Sequence, residues 1–295
     1  SKLDSFYSRY KTYFLAFFTI SSRYRAITDR VYMHSQSTSD NLHREYNRQG
    51  YCVVKSLFSD KELQQLHKSL LCFHKAWKEE NTEHYETQAV NASYITSNQY
   101  LDDLHRMHIF EFIGRAKLMK VVTQIFDKQA TFMNTQLFFN PVNEHQKNYW
   151  HRDMQYHLSV AEQEKALTGP QVIHFRIPLM DEPGIELVAG SHTQWDSEEE
   201  LDVRLERNHG RNFDALTTGT QIELAAGDLL VFSANMIHRG VYGKNRFAFD
   251  VLFCECDLAF ADFIDKACLP NSSQISQLEN NQAFQSAKAL KKGNF

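Results

Sequence analysis

The apolar positions of this 295-residue chain change period near residue 130. Before it, Leu63, Leu66, Leu70 and Leu71 recur at helical spacing, one stripe of a 3.6-residue period. Ser59-x-x-Glu62 stands just ahead of them. That is a capping-box pattern, in which each side chain satisfies a free backbone N–H at the helix start. The spacing predicts a helix from there to about residue 79 and a second over 101–126. Residues 1–50 read as helical and largely polar, 51–54 after Gly50 as a short strand, and 80–100 as loop.

Beyond residue 130 the pattern shortens. The runs 130–140, 149–153, 171–179, 185–188, 221–224, 228–232 and 246–256 read as strands separated by turn residues. Spaced short strands with turn signals predict a sandwich or barrel. After Asp257 helix returns, and 271–295, rich in Asn, Ser and Gln, reads as a weakly ordered tail. The expectation is one α+β domain, 1–295, mainly β with N-terminal helices: an extension (1–50), a helical support (51–129), a β core (130–257) and a helical tail (258–295).

Residues two apart on a strand share a face. On the last strand Arg246, Ala248, Asp250, Leu252 and Cys254 share one face, and Phe247, Phe249, Val251 and Phe253 the other. On 131–140 Asn134, Gln136, Phe138 and Asn140 oppose Thr135, Leu137 and Phe139. On 171–179 His174 and Arg176 oppose Ile173, Phe175 and Ile177. Three strands therefore pair a greasy face with a partly polar one. An open sheet would turn the polar face to water; a barrel would close it around a polar cavity.

Composition and charge narrow the class. Hydrophobic residues are 42% and aromatic residues 13%, with 22 Phe and 13 Tyr, enough bulky side chains for a large core. The net charge of -4 shows no basic excess for nucleic acid. Five cysteines without a C-x-x-C pair read as reduced thiols, hence a cytoplasmic protein. The apolar run at 13–20, flanked by Arg9, Lys11, Arg23 and Arg25, is far short of the ~20 residues a membrane span needs. It reads as a helix docked on the body or on a second subunit, which would make a homodimer through the N-terminal helices. A helix lying on a membrane surface is the other reading.

The candidate chemistry lies on the polar faces. His151 and Asp153, two apart, would project together. His238 follows the turn and apolar strand Ala226-Gly227-Asp228-Leu229-Leu230-Val231-Phe232 and precedes a loop. Two histidines and one carboxylate on one face of an octahedral metal leave positions open, which suits ferrous iron. Arg246, eight residues on, offers a fork that matches a carboxylate; Arg239 could compete for that role. His174 and Arg176 either meet an anionic or polar substrate or pair with acids such as Asp181 or Glu182 outside the pocket. His192 reads as a turn stabiliser, His157 as a partly exposed histidine, and Trp150 as packing beside the metal strand.

The ordered set Trp150-His151-Arg152-Asp153, Gly184-Ile185-Glu186-Leu187-Val188-Ala189-Gly190-Ser191-His192, Ala226 to Phe232, His238 and Arg246 is similar to the phytanoyl-CoA dioxygenase family. The resemblance covers about residues 45–257. It implies a double-stranded β-helix, a jelly-roll, cupin-like barrel. It implies Fe(II), 2-oxoglutarate and O₂, with His151, Asp153 and His238 as metal ligands. Arg246, helped by Gln136 and Asn140, would hold 2-oxoglutarate. It implies oxidation of an unactivated C–H bond of a small organic substrate, hydroxylation first and desaturation or cyclisation as other outcomes, with succinate and CO₂ as co-products. His174 and Arg176 would tilt the substrate towards a carboxylate. Two departures stand out: the interval from His238 to Arg246 is short, and Gly240 replaces a small hydroxyl residue. Asp153 occupies the position that a halide takes in halogenating relatives. A non-catalytic jelly-roll binding module and a cupin-type metalloenzyme without 2-oxoglutarate are the alternatives.

Overall fold

A computed structural model describes residues 38–293 apart from Lys244. The apolar run at 13–20 and the expected dimer contact through the first helices lie outside the described residues. The helices are α1 (Thr38–Gln49), α2 (Asp60–Glu80), α3 (Thr82–Thr87), α4 (Asp103–Ile113), α5 (Ala116–Ile125), α6 (Val160–Ala166), α7 (Glu198–Arg204), α8 (Ser272–Gln277) and α9 (Gln282–Lys292). The strands are β1 (Tyr51–Val54), β2 (Asn91–Ser93), β3 (Ala130–Phe139), β4 (Val172–Pro178), β5 (Glu182–Val188), β6 (Gly219–Leu224), β7 (Leu229–Ser233), β8 (His238–Gly240) and β9 (Phe247–Glu255). None of the helices among the described residues is long and apolar enough to cross a membrane.

The strands form two antiparallel sheets, a six-stranded one in the order β1-β7-β4-β9-β3-β2 and a three-stranded one in the order β6-β5-β8. The greasy face of the large sheet, with Leu137, Phe175, Phe249, Val251 and Phe253, packs on helix residues such as Leu66, Phe73, Ile109, Phe112 and Leu118 in one core. Each buried Phe there contributes roughly 1.5–3 kcal/mol. The opposite face turns towards the small sheet. Leu230, Phe232 and Met236 meet Ile185, Leu187 and Leu224 in a second, smaller core. Polar side chains of β3, β4 and β9 thus lie between the sheets, as the alternation on those strands predicts.

Three expectations need correction. Residues 80–100 are not loop, since α3 and β2 lie there. Ala92, the middle residue of β2, pairs with Leu137 and is buried. The segment 149–153 is not a strand. His151 forms one isolated bridge with His238, and Asp153 opens a short 3-10 turn, Asp153–Tyr156. The tail is not weakly ordered. Ala283, Phe284, Ala287 and Leu290 recur at helical spacing and are buried. Phe284 packs on Phe132 at 4.8 Å and on Phe110 at 5.5 Å. The polar composition of the tail concealed that stripe.

Candidate metal centre

His151 and His238 are held by their backbones. Each N–H donates to the other's carbonyl at 2.9 Å, the closely spaced pair of an antiparallel bridge. Each imidazole then donates Nδ1–H to the carbonyl two residues before it, His151 to Tyr149 at 3.1 Å and His238 to Met236 at 3.0 Å. A carbonyl only accepts, so both rings are fixed with Nε2 unprotonated and turned inward. Asp153 is anchored by its own N–H to the Ala234 carbonyl at 3.2 Å. Its Oδ1 lies 3.5 Å from Nε2 of each histidine. One ligand atom from each of the three side chains falls within 4.8 Å of the others. The bridge and the turn thus achieve what a continuous strand was expected to do.

Protonation suits ligation. Burial, reinforced by the neighbouring His151, pulls His238 down to about 3, so its ring is neutral at ordinary pH. Burial also lowers His151, against the pull of Asp153. Burial works against ionisation of Asp153, but the hydrogen bond from His174 and that imidazole's charge outweigh it and hold the carboxyl well below its usual range. Neutral imidazoles and an ionised carboxylate are the forms that bind a metal.

Arg152, between His151 and Asp153, points the other way. It is fully buried and donates to the Ser191, Asn235 and Gln194 carbonyls and to Asp196. Arg204 shares Asp196 at 2.7 Å. Trp150 is also buried, its Nε1 donating to the Asp214 carbonyl at 2.9 Å. His192 packs on Tyr46 with Nε2 3.3 Å from the Asn47 carbonyl, a structural contact. His157 lies 5.5 Å from the Phe263 ring, edge to face.

Arg246 is buried between the sheets, its guanidinium 5.3 Å from the Phe138 ring and 5.4 Å from Tyr242. Its Nε has no hydrogen-bond partner among the described residues, and the nearest acid, Glu182, stands 3.9 Å away. Burial and the nearby Arg176 lower its pKa to about 10. A buried guanidinium nitrogen without an acceptor is costly, and a carboxylate is the group that would supply one. Arg239 cannot serve instead: it is paired with Glu186, donates to the Phe213 and Asp214 carbonyls and lies over Trp150. The glycine at 240 has a physical reason. A Cβ there would collide with the Arg246 guanidinium, so the arginine fills the space a hydroxyl residue would need.

Gln136 pairs in register with Asp250 and is partly exposed. Asn140 lies farther out, its Oδ1 accepting from the Gly243 N–H at 3.1 Å. His174 and Arg176 are buried in a chain of charges. His174 Nε2 is 2.8 Å from Asp153 Oδ2, and its Nδ1 is 3.3 Å from Asp250 Oδ2. Arg176 bonds Glu182 through Nε and Nη2 at 3.0 and 3.2 Å, and Asp250 through Nη1 at 3.3 Å. The acid expected outside the pocket is inside it, because a bulge between Glu182 and Ile185 at Gly184 (φ +81°) breaks the strand alternation. The alternation puts Asp250 on the same face as Arg246 and says no more of it; an acid amid Phe-Ala-Phe-Asp-Val-Leu-Phe is the available signal of a larger role. Tyr149 and Tyr156 were also missed. Their rings lie 5.1 and 5.7 Å from His151, with the Tyr156 hydroxyl donating to Tyr149 at 2.9 Å.

Fold and site together describe a non-haem iron oxygenase. The phytanoyl-CoA dioxygenase (PhyH) family model matches residues 46–245, and the chain belongs to that family. It is an Fe(II)- and 2-oxoglutarate-dependent oxygenase. Among solved structures it is similar to AviO1 from Streptomyces viridochromogenes Tue57, with 16% identity, TM-score 0.53 and coverage of 75% of this chain and 97% of that one. It is also similar to EctD from S. alaskensis, solved with 2-oxoglutarate and 5-hydroxyectoine, with 15% identity, TM-score 0.50 and coverage of 75% and 79%. At such identity these likenesses speak for the fold. No curated protein matches in sequence.

Proposed function

We propose that His151, Asp153 and His238 hold the iron, and that Arg246 holds the far carboxylate of 2-oxoglutarate, with Gln136 and Asn140 assisting. The carrying observation is the pairing of two features: three convergent ligand atoms and a buried guanidinium whose Nε lacks an acceptor among the described residues. The two sheets read as the halves of a double-stranded β-helix, and residues 1–295 as one oxygenase domain built on it. Bound there, iron and 2-oxoglutarate supply with O₂ an oxidant for an unactivated C–H bond, leaving succinate and CO₂. The protein's part is orientation. The carbonyls of Tyr149 and Met236 hold both imidazoles neutral and aimed, Phe138 and Tyr242 flank the guanidinium, and Tyr149 and Tyr156 form an aromatic wall beside His151.

The substrate is a small organic molecule seated against that wall, and hydroxylation is the reaction proposed. The expectation of a substrate carboxylate rested on His174 and Arg176. Their polar atoms are engaged by Asp153, Asp250 and Glu182, so that support is gone. The test is release of succinate from 2-oxoglutarate by protein supplied with Fe(II) and ascorbate. Parental turnover in His151→Ala or Asp153→Ala would refute the ligand assignment.

A further inference from the structure

The polar interior holds a continuous chain of alternating charge whose members were not all expected to belong together. It runs from Asp153 through His174, Asp250, Arg176 and Glu182, and ends 3.9 Å from Arg246. His174 is the link that touches the metal-facing carboxylate. Its side chain is 3% exposed, too little for a substrate contact. Its ring lies flat on Phe232, with centroids 4.5 Å apart and planes 11° apart. Both ring nitrogens are within hydrogen-bond distance of a carboxylate, Nε2 of Asp153 and Nδ1 of Asp250. Asp250 is itself fully buried and held by Arg176, which Glu182 grips twice. A ring pinned by a stack and two hydrogen bonds, with its backing acid pinned in turn, has one orientation.

The consequence falls on Asp153. Its side chain is 34% exposed and leaves its backbone at the start of a one-turn helix, and the hydrogen bond it makes among the described residues is to His174. His174 takes Oδ2, and Oδ1 alone then stands equally far from the two ligand imidazoles, 3.5 Å from each. We propose that His174 is a positioning residue that holds Asp153 by Oδ2 so that it offers one oxygen to the metal, and that Asp250, steadied by Arg176, holds His174 in that pose. His174 and Arg176 then serve the metal centre, not the substrate. The inference rests on the metal-centre reading above.

The experiment is titration of Co(II) into the full metal-free chain without 2-oxoglutarate, followed by its visible ligand-field spectrum. His174→Phe keeps the stack on Phe232 and removes both hydrogen bonds. Co(II) binding should weaken about 10- to 100-fold, the range for removing such outer partners of a ligand, with a changed spectrum. His174→Gln, which can still donate to Asp153, should recover part of both. A folded His174→Phe with parental affinity and spectrum overturns the proposal. If that variant does not fold, Asp250→Asn decides. It should weaken Co(II) binding several-fold and shift the spectrum, and a parental result overturns the proposal. Glu182→Gln removes the same charge two links further on, beyond Arg176, without touching His174. If it weakens Co(II) as much as Asp250→Asn does, charge and not positioning is at work, and the proposal fails. Failure of the parent chain to take up Co(II) would instead sink the metal-centre reading itself.

Discussion

The two faces of β9 are made by alternate residues of one nine-residue strand. Phe247, Phe249, Val251 and Phe253 enter the core under the helices. Ala248, Asp250 and Leu252 pair across to Phe138, Gln136 and Asn134 on one side, and Asp250 and Leu252 to Arg176 and His174 on the other. Both faces are buried, so burial does not separate them. Partners do. The greasy face is satisfied by packing alone, whereas the inner face is satisfied by ion pairs that run up to Arg246 and stop short of completing it. A buried charged donor left over at the end of such a chain calls for a partner that the fold itself does not supply.

Substitutions on the two faces should therefore fail differently. The largest effect is expected at the metal centre. His238→Ala and Asp153→Ala should bring succinate release to background while the unfolding midpoint of the metal-free protein stays within a few degrees of the parent. Loss of activity accompanied by loss of folding would erase the distinction between the faces. The next largest effect is on stability. Phe249 is fully buried and packs edge-on to Phe112 with centroids 6.3 Å apart. Phe249→Ala should cost about 3–5 kcal/mol in denaturant unfolding. Any protein that remains folded should keep its Co(II) affinity, since the inner face is untouched. A cost under ~1 kcal/mol would show that the outer face is not the main core.

The sequence made this division legible because alternation is a two-residue rule that holds wherever a strand is regular. The faces of β3, β4 and β9, with His174, Arg176 and Asp250 turned inward, follow from it. What escaped lies where the rule stops. His151 and Asp153 were expected to converge as neighbours on a strand; they converge through a one-residue bridge and a turn, a geometry no spacing encodes. Glu182 entered the interior through a bulge. The chain from Asp153 to Arg246 joins side chains from four separate segments, so its residues were visible singly while their contacts were not. The packing of α9 was hidden differently, its four buried apolar positions outnumbered by polar neighbours.

Arg246 gives a sharper probe of the inner face. Arg246→Met keeps much of the buried volume and removes the charge. It should raise the 2-oxoglutarate concentration needed for half-maximal succinate release by about 10- to 100-fold, or about 1.4–2.7 kcal/mol. The apo protein should be no less stable, and could gain, because a buried guanidinium with an unpartnered Nε is lost. Gly240→Ser should act in the same direction by displacing the guanidinium from the space it occupies. An unchanged 2-oxoglutarate requirement in Arg246→Met would move the anchor to another residue.

The smallest effect probes the greasy face at a histidine that α2 sends into it. His74 stacks on Phe139 at 4.6 Å and meets Tyr85 and Phe247 at 5.6 and 5.8 Å, and its Nε2 is buried without a partner among the described residues. Burial, with Lys78 nearby, lowers its pKa to about 4. The folded state therefore takes up this proton less readily than the unfolded chain, whose histidine titrates near 6.5. The sign follows by linkage: the stability associated with neutral His74 is fully present above about 6.5 and is lost as pH falls towards about 4. His74→Phe removes that loss and keeps the stack. It should stabilise the protein by about 1 kcal/mol at pH 5, allowing for screening at a site still partly open to solvent, and by clearly less at pH 8. Denaturant unfolding at the two pH values measures the difference. A gain of equal size at both would mean that the ring's shape, not its proton, sets the effect, and that the outer face tolerates a polar group as readily as the inner one does.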